Sequence, residues 1–404
     1  MTLTNLPIEV LQHIAVDVKL KLDLISLVST CSLMKSIVEA LLVREVHLNS
    51  PERSSAFFSF LIAHPLRANG LRVLGLFDGW LYSDQFERQS RGALQAAQRD
   101  LCGQAAIALV LAGGLQSLTL FCAAEAFKSH QALPLAISQC RNLKTLHIWD
   151  LLDNSSRMSN FSLRCLCHIQ APIEDILLHN FGSHLFEILA NFRSTLRNLS
   201  LDFGEVTQRH NGNLPWPHVH SVTLHRTLNL HTATLEAAFP NVEALKVTYD
   251  GSTSDVYEAH ERNKRHRAQH WEQLKSVTGD QAGLYGIALH SCNIQRLRIG
   301  DKVHDAEGQS SFMDILQLSP PSMLRISLDA RFSGDILEAM GSTTPNTCLL
   351  DLTICFVPTP ISERLETFVR VLVSVILSKF PHQCHIDTAM GRALNTPFIG
   401  TPSP

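Results

Sequence analysis

One phrase, apolar-x-x-apolar-x-apolar, recurs along this chain and constrains its fold more than any other feature. With Leu, Ile, Val or Met at the apolar places, it begins at Val43, Leu71, Leu115, Leu143, Ile173, Leu196, Val219, Val242, Ile294, Met323 and Leu349. The intervals are 28, 44, 28, 30, 23, 23, 23, 52, 29 and 26 residues. Most match the roughly 20–29 residues that one strand and its return occupy in a stacked repeat. Chance also produces the phrase, as the off-register matches at Leu284 and Met313 show. Two further signals carry the reading. Three successive intervals are identical, and a turn phrase precedes many of the strands: Cys140-Arg141-Asn142, Pro240-Asn241, Cys292-Asn293, Pro345-Asn346, Pro320-Pro321 and Pro172. A proline there disfavours helix in the residue before it and lets the chain enter a strand extended.

The pattern predicts an α/β chain of strand, turn and helix, repeated. Apolar helical stretches such as Leu185 to Phe192 and Leu235 to Phe239 lie between strands. No single unit buries its own apolar face; stacking builds one continuous core. Eleven parallel strands at about 4.8 Å spacing would give a concave sheet roughly 50 Å long. Two long intervals read as insertions: Asp84 to Gly113, expected as extended helix, and Asp250 to Asn293.

The first fifty residues differ. Asn5-Leu6-Pro7 reads as a helix start, followed by Leu6, Val10, Leu11, Ile14 and Val18 on one face. Asp23 is a second expected cap, ahead of Leu24, Leu27, Val28 and Cys31; Met34, Ile37, Val38 and Leu41 repeat the spacing. Three short helices cannot bury all those faces alone, so apolar surface is left for a partner or for the next domain.

Here the chain resembles the F-box. That motif opens Leu-Pro-x-Glu-(Val/Leu)-Leu-x-x-Ile, and this chain has Leu6, Pro7, Glu9, Val10, Leu11 and Ile14. The second half is matched by Asp23, Leu24, Leu27 and Cys31, with Thr30 where Val is usual and Met34 where Trp is usual. The phrases Trp271-Glu272-Gln273-Leu274, Gly279-Asp280, Leu284-Tyr285 and Cys292-Asn293-Ile294 resemble the late solenoid of F-box and leucine-rich-repeat proteins abundant in mushroom-forming fungi. The resemblance implies a three-helix F-box over 1–42 and an irregular leucine-rich-repeat horseshoe with a parallel concave sheet over 43–357. A capping helix over 358–387 and a disordered tail over 388–404 complete the expected organisation. It also implies a substrate-recognition subunit of a Skp1–cullin–F-box ubiquitin ligase, a monomer within a larger complex. Leu6, Pro7, Val10, Ile14, Leu24, Leu27 and Cys31 are then the Skp1 contacts. The alternative is a non-catalytic leucine-rich-repeat scaffold or inhibitor, with the first helices as a plain cap.

Composition narrows the function classes. The formal net charge is −3, which gives no basic face for nucleic acid. Ten Cys carry no zinc spacing and no CxxC, which fits free thiols better than a disulfide framework. No leader is visible in the first residues. The apolar runs Ala105 to Leu120 and Phe368 to Leu377 are too short to span a bilayer. A cytoplasmic or nuclear protein with no membrane partner is therefore expected. His266 and His270 could share a helix face, and His218, His220 and His225 straddle a strand, but no third converging ligand is spaced to help, so no metal is expected. No phosphate-binding Gly loop or GxSxG elbow occurs, so neither cofactor nor catalysis is expected. The basic run Arg262 to Arg267 reads as a solvated helix face.

The surface expected to carry function is the concave sheet, where the residues between the apolar places point. The candidate groove residues are Phe77, Phe121, His147, Trp149, His179, Asp202, His225, Lys246, Arg296 and Arg298. The aromatic ones would form an apolar zone early in the array, with basic and mixed charge later, and the expected ligand is a protein substrate.

Overall fold

The computed structural model describes residues 6–18, 20–77, 79–81, 91–150, 166–179, 185–202, 215–226, 231–249, 252–266, 271, 273–303, 306–329, 348–355 and 386–387. The chain divides into two compact units. The first holds residues 1–205 with Trp216–Val219, and the second holds 206–215 with everything from His220 on.

The first unit opens with three helices, α1 (Ile8–Asp17), α2 (Lys21–Val28) and α3 (Ser32–Leu42). The Pro7 carbonyl accepts the first free N–H groups of α1, from Val10 and Leu11. Asp23 does not cap α2: it stands in the first turn of a helix that already began at Lys21, where its charge meets the positive helix end. Cys31 caps α3 through its sulfur, which accepts from the Met34 N–H at 3.4 Å. Leu11, Ala15, Leu24, Met34, Ile37 and Val38 form the small core of the three helices.

Parallel strands follow: β1 (Glu45–Leu48), β2 (Val73–Leu76), β3 (Ser117–Leu120), β4 (Thr145–Ile148), β5 (Asp175–His179) and β6 (Asn198–Asp202). Each begins two residues after the start of its sequence phrase. The phrase's last two apolar places fall in register as two rows. One is Val46, Leu74, Leu118, Leu146, Ile176 and Leu199; the other is Leu48, Leu76, Leu120, Ile148, Leu178 and Leu201. All but Val46 are buried. The return segments include α4 (Pro51–Ala63), α5 (Pro65–Ala68), α6 (Arg91–Leu111), α7 (Ala123–Ser129), α8 (Ala132–Ser138) and α9 (Leu185–Leu189). The described part of the first expected insertion is helix α6, as its pattern predicts.

The second unit repeats the scheme with β7 (Ser221–His225), α10 (Thr232–Ala238), β8 (Ala244–Thr248), α11 (Thr253–Asn263), β9 (Gln273–Gly279), α12 (Gln281–Ile287), β10 (Asn293–Val303), α13 (Ala306–Leu318), β11 (Met323–Asp329), β12 (Cys348–Cys355) and β13 (Ile386–Asp387). Its strand pairings are parallel as well. Here the sequence expectation needs two corrections. Residues 250–293 are not an insertion but contain a further repeat, β9. Its phrase is Leu274, Val277 and Gly279, paired with Ile294, Leu297 and Ile299 of β10, so a glycine stands where the last apolar side chain belongs. The strand β11 is also shifted: Leu324 pairs with Leu297, and Leu324 and Ile326 are buried while Met323 is exposed, so Pro321 and not Met323 opens that unit. Of the expected capping helix, only Ile386–Asp387 is described, and it is a strand beside β12. The rest of 358–387 and the tail over 388–404 lie outside the described residues, as does the expected cap Asn5.

Gly279 has a steric cause. A Cβ there would collide with the Val247 carbonyl oxygen and lie 2.9 Å from Leu284 Cγ of α12. The tight approach is fixed by Asp280, whose carboxylate accepts from the Gly283 N–H at 2.6 Å and the Tyr249 N–H at 2.8 Å. Three of the four Trp are fully buried, and each tethers one repeat to another by its indole N–H: Trp80 to the Phe121 carbonyl, Trp216 to Leu189 and Trp271 to Phe239, at 2.8–2.9 Å.

Candidate functional site

In both units the strand residues between the buried rows face away from the core. In the first unit they build a run of rings. His47 and Phe77 lie 5.3 Å apart between centroids, Phe77 and Phe121 5.5 Å, Phe121 and Trp149 4.9 Å, Trp149 and His179 5.1 Å. Phe121 and Trp149 are nearly parallel, at 11°. Backbone pairing continues one residue past each strand to hold this register: the Phe77, Phe121 and Trp149 N–H groups donate to the Leu48, Leu76 and Leu120 carbonyls, all at 2.8 Å. Gly75 leaves the space over which the Phe77 ring folds back, because a Cβ there would run into that ring and stand 2.6 Å from His47 Nδ1. Trp149 is the one Trp of the four that is not fully buried, and it lies at the middle of the run.

Three His–carboxylate pairs border the rings. His47 Nε2 lies 3.0 Å from Glu45, His147 Nε2 3.8 Å from Asp175, and His179 Nδ1 3.0 Å from Asp150. Asp150 has a left-handed φ of 56°. Its own N–H also points at His179 Nδ1, at 3.2 Å.

The structure therefore brings together Phe77, Phe121, His147, Trp149 and His179 as the sequence predicts. It corrects Asp202, which shares the register of His179 but is only 5% exposed and already engaged within the chain. His47 and Asp150 belong to the same surface and escaped the sequence reading. His47 was accessible to it, as an intervening position of the first repeat. Asp150 was not, because its place depends on a left-handed turn after β4.

In the second unit His225 is half-buried, with Nδ1 2.8 Å from Thr248 Oγ1. Lys246, Arg296 and Arg298 are exposed, as predicted. The basic run of the sequence is dispersed: Arg262 meets the His231 ring at 3.3 Å, Lys264 reaches Glu261 at 4.0 Å, and His266 binds the buried carboxylate of Glu236 at 2.5 Å. Arg267 and His270 lie outside the described residues. His218, His220 and His225 do not converge, and among the described residues no group of three His, Cys, Asp or Glu could hold a metal ion.

The predicted Skp1 contacts fall into two classes. Pro7 and Val10 are exposed, and Leu6, Ile14, Leu27 and Cys31 are half-buried. Leu24 is corrected: it is 7% exposed and belongs to the three-helix core. Exposed apolar side chains stand instead at Ile8, Val16, Leu20, Leu22 and Ile25, with Leu22 76% exposed. Leu22 and Ile25 are three apart on α2, hence on one face.

Burial pushes the thiols of Cys102, Cys140 and Cys292 up to about 12, with the Glu236 carboxylate adding to the effect at Cys292. They stay protonated at neutral pH and are poor nucleophiles. Among the described residues, no helix is long and apolar enough to cross a membrane. The class that fold and site define is thus an α/β chain of parallel strand–helix repeats in which each unit exposes a sheet face. No family model matches the chain, and no match is found among curated proteins.

Proposed function

We propose that this chain is the substrate-recognition subunit of a Skp1–cullin–F-box ubiquitin ligase, in which the N-terminal helices form an F-box and the repeats an irregular leucine-rich-repeat array. The observation that carries the reading is the set of apolar side chains left exposed on α1, α2 and the turn between them. Val10, Leu22 and Ile25 are 41%, 76% and 52% exposed on helices whose own core is already filled. Apolar surface of that kind is costly in water and marks a docking site. The aromatic run of the first unit and the cations of the second are the target-holding surfaces. Tethering does the work: a held target meets a ubiquitin-charged enzyme at high effective concentration, without chemistry by this chain. The reading places its work in the cytoplasm or nucleus.

Capture on immobilised Skp1 tests it. Leu22→Asp with Ile25→Asp, at positions outside the core, should abolish capture while leaving the melting temperature nearly unchanged; Leu6→Asp and Pro7→Asp should weaken it as well. Undiminished capture by the folded double variant would reject the interface. One observation favours the scaffold reading, in which the helices are only a cap: α3 packs on β1, and Glu39 of α3 pairs with Arg67 of α5 at 2.8 Å. Deleting residues 1–42 separates the two. A receptor loses Skp1 and keeps its repeats; a capped scaffold unfolds.

A further inference from the structure

The cations of the second unit form a patch on its exposed sheet face. Register puts Lys246, Thr278, Arg298 and Arg325 in one row across β8, β9, β10 and β11, with Ala244, Ser276, Arg296 and Met323 in the row before it. Lys246, Arg296 and Arg298 are exposed, while Leu245, Val247, Leu297 and Ile299 between them are buried. The charged side chains therefore point away from the core. Arg325 is already engaged within the chain. Lys246, Arg296 and Arg298 have no hydrogen bond or ion pair among the described residues, and the nearby carboxylate of Glu243 is taken by Lys275 at 2.7 Å. On β7, β8 and β9 no carboxylate stands at the intervening positions Ser221, Thr223, His225, Ala244, Lys246, Thr248, Ser276 or Thr278; further along the sheet Asp329 lies on β11, and Asp351 of β12 lies opposite Arg325 in register. Like charges gathered in this way repel one another and attract an anionic partner.

The form of that partner follows from spacing and neighbours. Lys246 and Arg298 lie two strands apart, about 10 Å at ordinary sheet spacing, with Thr278 between them. Charges spread over that distance fit several separate carboxylates better than one compact anion. In an extended peptide, alternate side chains repeat every ~7 Å, so successive acidic ones reach successive cations. Each guanidinium offers a fork of donors to a carboxylate, and the Thr223, Ser276 and Thr278 hydroxyls can fill remaining lone pairs. The intervening positions of β7 to β10 carry no Phe, Tyr or Trp, so the patch lacks the stacking platform that single-stranded nucleic acid requires.

We propose that this patch binds an extended, Asp- and Glu-rich segment of the target, its carboxylates over Lys246, Arg296 and Arg298. The proposal rests on the reading of the sheet face as the target-holding surface, and it names the chemistry of what is held. The test uses the full chain and a short fluorescein-labelled peptide of alternating Glu and Gly, followed by anisotropy. The Glu peptide should bind, and its Gln counterpart should bind roughly tenfold more weakly or not at all. Raising the salt should weaken the Glu peptide. Lys246→Glu with Arg298→Glu should reduce its affinity by about tenfold or more, while Arg298→Lys restores much of it. Circular dichroism checks that each variant is folded. Equal binding of the Glu and Gln peptides, unchanged affinity in the folded double variant, or tighter binding of oligo-uridine than of the peptide would each overturn the proposal. Skp1 capture by the same double variant should be intact, so failure here is distinguishable from failure of the F-box reading.

Discussion

Gly279 and Gly92 show how one residue type is constrained in opposite senses. At Gly279 a Cβ meets a backbone carbonyl that belongs to the sheet and cannot step aside. At Gly92, in the first turn of α6, a Cβ meets nothing within 4 Å. Gly279→Ala should therefore lower stability by about 1–3 kcal/mol through overpacking. Gly92→Ala should raise it by about 0.4–1 kcal/mol through the lost freedom of the unfolded chain. Urea titration measures both, and a destabilised Gly92→Ala would contradict the account. His231 carries a second residue-scale consequence. Burial, and then the Arg262 guanidinium beside it, hold its imidazole below the ordinary value of 6.5. A depressed pKa means that the unfolded chain binds the proton more readily. The contribution of His231 is then fully present above about pH 6.5 and fades as the pH falls below it. His231→Gln should flatten the stability profile below that pH relative to the parent, and a profile of unchanged slope there would remove His231 from the explanation.

The elements show which signals the sequence exposes and which it hides. Period-two alternation bounded by turn residues located every strand from β1 to β8, because each row of buried apolar residues is written directly into the chain. It missed β9 because Gly279 replaces the last apolar side chain after Leu274 and Val277, for a reason that only the packing against β8 and α12 reveals. It shifted β11 because Met323 is an acceptable first letter, and nothing local says that Pro321 takes the buried place. The aromatic run was legible as positions but not as contacts: Phe77, Phe121 and Trp149 share a register, whereas the space made by Gly75 and the left-handed turn at Asp150 appear only in three dimensions. The N-terminal helices were legible as amphipathic segments. Which of their apolar residues stay outside was not, since Leu24 and Leu22 differ only in the face that α3 covers. The four Trp turn this contrast into a measurement. Three tether repeats through buried indole N–H groups, so Trp271→Phe should cost about 1–3 kcal/mol by leaving the Phe239 carbonyl without its donor. Trp149→Phe should change stability little. Acrylamide should quench the Trp149 component selectively in the native protein; uniform quenching of all four would contradict the burial pattern.

At the scale of the whole chain, each unit is held together strand by strand. The charge of −3 is small, yet the intervening positions of the strands sort it. Up to β10, Glu45 and Asp175 occupy those of β1 and β5, whereas Lys246, Arg296 and Arg298 occupy those of β8 and β10. A sorted surface is permitted because the fold does not depend on it. The core rows run beneath, and each strand pairs only with its neighbours. Stability in such an array is approximately a sum of local and nearest-neighbour contributions, so a lesion should spread over a limited distance. Leu245 of β8 is 2% exposed and sits between Val222 of β7 and Val277 of β9 in one buried row. Leu245→Ala should remove about 2–5 kcal/mol from that neighbourhood. Hydrogen exchange followed by mass spectrometry should then show faster exchange first in β7, β8 and β9, with β11 less affected. An equal acceleration from β7 through β11 would mean that the second unit opens only as a whole, and the nearest-neighbour description would have to give way to a single cooperative core.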